Sequence, residues 1–217
     1  MPNAAAYDLL AGCTGFMYAI TQAYGMIASG IAHRALVVGG DILSKILNWE
    51  DRSTCVLFGD GTGAVVIERV DEGGFLGFEL GADGGGGVHL SYPNSGSRIF
   101  KDEERALTMN GREVFKFATR VMVTSATALL ERCGKTVDDI DLYVPHQANK
   151  RIIDHAVGKL GVRPERTVVN DEAFLRQFGI VIPGWTMGSA WKHLVADLSA
   201  VYPRLAALSA PGGPLQV

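Results

Sequence analysis

Apolar positions along the chain follow two rhythms. Ala4 to Leu9 is a short apolar run that suits a buried strand, and Gly12-Cys13-Thr14-Gly15 breaks it. Phe16, Ile20, Ala23 and Ile27 then recur at steps of four, three and four, which puts them on one helix face. Gly30 stands where a left-handed C-terminal cap belongs, and Ala35-Leu36-Val37-Val38 reads as a second buried strand. Strand, tight turn, helix and strand predict a βαβ unit, hence a parallel sheet covered by helices.

Asn48 to Ser53 is polar and loop-like. Cys55 to Phe58 and Ala64 to Ile67 are β-rich, with Gly59-Asp60-Gly61-Thr62-Gly63 as a tight connection between them. Gly84 to Gly87 reads as a flexible loop. A long helix is predicted from Thr108 to Cys133, with Val114, Phe117, Val121 and Ala128 on one stripe and Gly134 past its end. Leu142 to Val144 is a strand stopped by Pro145; Ala148 to Leu160 is a helix closed by Gly161; Val168-Val169 is a further strand. Beyond Asn170, Ile180 to Pro183 and Trp185 are apolar without a period, and Ser209 to Pro214 is a Pro/Gly-rich tail.

Composition narrows the class. The chain has 217 residues, net charge −3, 47% hydrophobic and 20% charged positions. That balance excludes a disordered tail, a collagen-like chain and a polybasic nucleic-acid binder. Glycine is abundant, 27 residues, which implies tight turns or backbone pressed against a ligand. No apolar run is long enough to cross a bilayer, and there is no charged-then-apolar secretory leader. Three cysteines, Cys13, Cys55 and Cys133, are too few and too irregular for a disulfide framework or a zinc site.

Two residues stand where chemistry is usual. Cys13 lies between a strand and the first turn of a helix, where unpaired N–H groups and the helix dipole favour a thiolate. The same position also suits a small buried hydrophobe. His146, in Val144-Pro145-His146-Gln147-Ala148-Asn149, lies at a strand end beside a helix start, where α/β sheets place ligands. Taken in isolation, a histidine there reads first as one satisfied by backbone groups. The other histidines show no metal spacing. Gly59 to Gly63 lacks the Lys-Ser/Thr ending of a phosphate loop. Arg112, Lys116 and Arg120 form a basic stripe, either solvated or docking an acidic partner.

Taken in order, several stretches resemble the β-ketoacyl-acyl-carrier-protein synthase III family. They are Ala4-Ala5-Ala6-Tyr7-Asp8-Leu9 with Ala11-Gly12-Cys13-Thr14-Gly15-Phe16, and Trp49-Glu50-Asp51-Arg52-Ser53-Thr54. Cys55-Val56-Leu57-Phe58-Gly59-Asp60-Gly61 with Gly63-Ala64, Met109-Asn110-Gly111-Arg112-Glu113-Val114-Phe115, and Pro145-His146-Gln147-Ala148-Asn149 complete the set. The resemblance covers residues 3 to 170. It implies an α/β, thiolase-like fold, two similar βαβαβ halves in a layered α/β/α/β/α arrangement, as a homodimer. It implies Cys13 as the acyl acceptor and His146 as a catalytic donor in decarboxylation. Arg52 matches a position contacting coenzyme A, and Gly111, Phe115 and Asn149 match positions lining a pantetheine tunnel. Lys116 and Arg151 match basic positions that dock the acidic acyl carrier protein. Implied substrates are an acyl-CoA, by expectation acetyl-CoA, and malonyl-acyl carrier protein, with no cofactor and no metal. Nucleic acid and membrane insertion are not implied.

The resemblance divides the chain at 1–70, the remainder of an amino-terminal half carrying the nucleophile; 71–170, a carboxy-terminal half; and 171–217, a divergent tail. Family members carry further strands before the nucleophile, so the start is expected to be cut and the amino-terminal half truncated. After Asn170 the family's Gly-Asn-x-Ser-Ala segment and later glycine-rich loop are not found; Arg176 stands where the asparagine is expected, and Gly188-Ser189-Ala190 lacks it. An incomplete or frame-disrupted copy, inactive alone, is the expectation. Alternatives are a polyketide-type synthase of the same fold, a partner-binding protein of an intact synthase, and a cysteine hydrolase. Expected localisation is cytoplasmic, with plastid or mitochondrion open if a transit peptide is missing.

Overall fold

A computed structural model describes residues 4–93 and 106–169. The readings made above for Asn170 onward, including Arg176, Gly188 to Ala190 and the 171–217 tail, lie outside the described residues.

Helix α1 spans Gly15–Ala28 and is followed by Gly30 at φ 79°, the left-handed position expected for it. Strand β1, Arg34–Ile42, runs antiparallel to β2, Asp60–Glu68, with Val37 opposite Val65 and Gly39 opposite Gly63. Odd-numbered residues of β1 face α1: Val37 is buried with Ile20 and Ala23, and Phe16, Ala35, Ile67 and Phe78 pack around them. Even-numbered residues point the other way, and Leu36, Val38 and Ile42 are exposed.

The parallel βαβ expectation is therefore corrected. Periodicity identifies a strand but not its partner, and β1 takes its ladder from β2. Ala4–Leu9 forms no strand, since it meets no ladder among the described residues; Tyr7 is exposed and only its hydroxyl is anchored, on Met26 Sδ at 3.7 Å. Cys55–Phe58 is a turn rather than a strand: the Asp51 carboxylate takes bonds from Ser53 and Thr54 and curls the backbone. Nor is Gly59–Gly63 a connection, because β2 begins at Asp60, whose carboxylate accepts from the Ser44 amide and hydroxyl at 2.8 and 2.6 Å. Gly84–Val88 winds into a 3₁₀ turn with the Asp83 carboxylate accepting from Gly85 N–H, instead of a loose loop.

Beyond β2, a two-residue ladder joins β3 (Leu90–Ser91) to β4 (Thr108–Met109). Asn110 then caps α2, Gly111–Arg132, accepting from Glu113 N–H, so the helix starts inside the predicted span. Helix α3, Lys150–Leu160, is capped by Asn149 and closed by Gly161 at φ 77°. It packs on α2 and buries Ile152, Ile153, Ala156 and Val157. The predicted strands at Leu142–Val144 and Val168-Val169 contract to one parallel bridge, Tyr143 with Thr167, because no third segment among the described residues pairs with either. Gln147 Nε2 donates to Pro145 and Val168 carbonyls, tying the loop after Tyr143 to that bridge.

Candidate active site

Cys13 sits in a 3₁₀ turn, Gly12–Thr14, whose first residue takes φ +55°, a left-handed conformation that glycine adopts freely. The Thr14 hydroxyl donates to Ala11 O at 2.8 Å and tightens the turn. Solvent reaches the thiol, yet the surrounding protein removes enough water to push its pKa above the ordinary thiol value. The Asp41 carboxylate pushes it the same way, and a backbone hydrogen bond of Cys13 opposes both.

His146 lies in the loop between Tyr143 and α3, after buried Pro145. Desolvation lowers its pKa below the ordinary histidine value, with Asp41 pulling it up. The lowered value favours the neutral imidazole, which can donate one N–H and accept one proton.

A cavity of about 530 Å³ opens between the starts of α2 and α3. Leu57, Gly111 and Phe115 supply apolar wall, and Arg112, Lys116, Asn149 and Arg151 supply polar groups. Six positions singled out in sequence, Gly111, Arg112, Phe115, Lys116, Asn149 and Arg151, thereby meet in one place. Asn149 also holds the start of α3 by accepting from Arg151 N–H at 2.9 Å. Lys116 is paired with Glu113 at 2.7 Å. Arg52 is exposed on the turn that leads to Leu57 and does not line the cavity. Of the basic stripe, Arg112 and Lys116 reach the cavity, whereas Arg120 lies 6.0 Å from the Phe117 ring centroid.

Sequence reasoning missed Leu57, which carried no signal because it was read into a strand.

Residues 7–84 match the family profile described as 3-Oxoacyl-[acyl-carrier-protein (ACP)] synthase III, and residues 130–177 match that family's C-terminal profile. This chain belongs to the 3-oxoacyl-[acyl-carrier-protein] synthase III family. The C-terminal match runs past Asn170, farther than the resemblance read by motif. A relative from Desulfitobacterium hafniense, the β-ketoacyl-[acyl-carrier-protein] synthase III of strain Y51, is 48% identical over 188 residues, covering 83% of this chain and 57% of the relative. The solved synthase III of Thermus thermophilus superposes with a TM-score of 0.73 at 44% identity, covering 92% of this chain and 60% of that one. The priming β-ketosynthase of the R1128 polyketide pathway superposes at 0.71 with 40% identity, covering 79% of this chain and 52% of that one. The fold is thiolase-like, as these structures share it. The chain spans a little over half the length of its curated relatives. No helix among the described residues is long and apolar enough to cross a membrane.

Proposed function

We propose that the chain carries the acyl-transfer and condensation site of a 3-oxoacyl-[acyl-carrier-protein] synthase III. The observation that supports this reading is the cavity between α2 and α3, with Phe115 and Leu57 on its wall and Arg112, Lys116 and Arg151 around it. An apolar channel with cationic groups suits a pantetheine arm that ends in phosphates. Asn149, on the cavity wall, stands three positions after His146 in the segment that leads into α3.

In the proposed reaction Cys13 loses its proton and its sulfur attacks the carbonyl carbon of an acyl-CoA thioester. The carbon–sulfur bond to coenzyme A breaks, and the departing thiolate takes up a proton. Malonyl-acyl carrier protein then loses carbon dioxide, leaving the electron pair as an enolate. The His146 N–H donates to the enolate oxygen as its charge develops, a role whose removal costs on the order of 10²–10³ in rate. The carbanion attacks the acyl-Cys13 carbonyl, Cys13 leaves as thiolate, and a 3-oxoacyl product remains on the carrier. These steps draw on acyl-CoA and malonyl-carrier protein as substrates and call for no resident cofactor.

Arg52 is proposed to approach coenzyme A from outside the cavity, and Lys116 and Arg151 to dock the carrier protein. A homodimer and a cytoplasmic location belong to the same proposal. The R1128 relative gives a second reading some weight, a priming ketosynthase of polyketide type.

The test is incubation of the 217-residue chain with radiolabelled acetyl-CoA, followed by mass spectrometry of the Cys13 peptide. Acetylation of Cys13 that is lost in Cys13→Ala supports the reading. Condensation that accelerates with malonyl-carrier protein favours synthase III, and condensation indifferent to the carrier favours the polyketide type. No acetylation, together with co-purification of an intact synthase, overturns the enzyme reading in favour of partner binding.

A further inference from the structure

We propose that Arg120 and Phe117, on the outer face of α2, form a docking patch for the acidic body of the acyl carrier protein, separate from the cavity that takes the substrate arm. The inference rests on the carrier-dependent reading above and adds two residues that line no part of the cavity.

Helix geometry places the patch. Phe115 lies on the cavity wall and meets His155 of α3 edge-on, with ring centroids 6.3 Å apart. Phe117, two residues on, is turned about 200° around the helix and stands 40% exposed. Arg112, Lys116 and Arg120 recur every four residues, so Arg120 continues an exposed row about 6 Å beyond Lys116 along the axis. Arg112 and Lys116 line the cavity and Arg120 does not. The row thus leads away from the cavity across the surface of α2.

The chemistry of the patch favours an acidic protein over plain solvation. The Arg120 guanidinium carbon lies over the Phe117 ring, 6.0 Å from its centroid. A guanidinium held over a ring keeps its in-plane N–H groups free for carboxylates. The sequence has no acidic residue between Glu113 and Glu131, and Glu113 is paired with Lys116 at 2.7 Å. Among the described residues Arg120 makes no ion pair. An exposed aromatic beside an unpaired arginine supplies two residue types in which interfaces are enriched. A substrate tethered to a protein brings that protein's surface to the place where its arm enters, and the patch adjoins that place. Coenzyme A brings no such surface, so its binding is indifferent to Arg120.

The experiment is fluorescence anisotropy of dye-labelled holo-acyl carrier protein titrated with the 217-residue chain, beside calorimetric titration with coenzyme A. Arg120→Glu is expected to weaken carrier binding by about tenfold and to flatten its salt dependence, with coenzyme A affinity unchanged. Phe117→Ala should weaken it by a smaller factor, and Arg120→Lys should keep most of the affinity through its charge. Both side chains are exposed, so neither change empties the core. Carrier affinity that neither Arg120→Glu nor Phe117→Ala moves overturns the patch and leaves the acyl-transfer reading standing. Equal loss of carrier and coenzyme A binding also overturns it, since Arg120 then belongs to the cavity. Carrier binding that depends on Arg120, in a chain whose Cys13 acetyl-CoA does not acetylate, sinks the acyl-transfer reading and keeps the patch.

Discussion

Gly39 lets Phe16 lie directly on β1: a Cβ placed at Gly39 would stand 2.8 Å from Phe16 Cδ2 and 3.1 Å from its Cβ. The contact sets the height of the α1 start above the strand, and with it the position of the turn that carries Cys13.

Gly39→Ala is therefore expected to destabilise the chain by about 1–3 kcal/mol through overpacking, since the Phe16 backbone-proximal atoms cannot swing clear. The same substitution should alter the rate of Cys13 alkylation, because the turn moves with the ring. Thermal unfolding and alkylation kinetics, measured together, check it; an unchanged pair of values means the contact does not position the turn.

At α3, Ile153 is 2% exposed and packs with Val157 and Val162 against Ile140 and Tyr143. Ile153→Ala should cost about 2–5 kcal/mol by removing buried methylenes and leaving a void. Denaturant unfolding would show the loss as a lower midpoint with unchanged slope.

Acid should loosen the β1–β2 unit through Asp60. Its hydrogen bonds from Ser44 hold the carboxyl below the usual carboxylate range, so the folded state favours the ionised form. The resulting stability is present above the unfolded pKa and is lost as pH falls through the lower folded value. Melting temperatures from neutral pH into the carboxylate range should converge for the natural chain and Asp60→Asn, starting apart at neutral pH. Curves that stay parallel throughout would remove Asp60 from the account.

The three cations around the cavity are not equivalent. Lys116 already has Glu113 as partner, whereas Arg151 and Arg112 make no ion pair among the described residues. Calorimetric titration with coenzyme A should show Arg151→Ala or Arg112→Ala weakening binding by about tenfold, with a flatter salt dependence. Lys116→Ala should weaken it less. Equal losses at all three positions would mean that the Glu113 pair opens on binding.

Much of the helical part of the fold was legible residue by residue. Phe16, Ile20 and Ala23 of the predicted stripe form the face that α1 turns toward β1, and Gly30 and Gly161 occupy the left-handed positions their places implied. The sheet was not. Ala4–Leu9 and Cys55–Phe58 have strand-like composition, yet one meets no ladder and the other is curled by Asp51. The candidate site divides in the same way. Family motifs located Cys13, His146 and five cavity residues, while Leu57 entered only through its spatial neighbours.

By itself the sequence determined where α1, α2 and α3 run, how Asn110, Asn149, Gly30 and Gly161 bound them, and which residue types are available for thioester chemistry. Tertiary structure decided that β1 pairs antiparallel with β2, and that Leu57 joins the starts of α2 and α3 around a cavity. The reason is the range of the interactions. A helix closes its hydrogen bonds within four residues and writes its face into a local period, so a short window contains the information. A strand's partner and a cavity's wall draw on distant parts of the chain, and only packing brings those parts together.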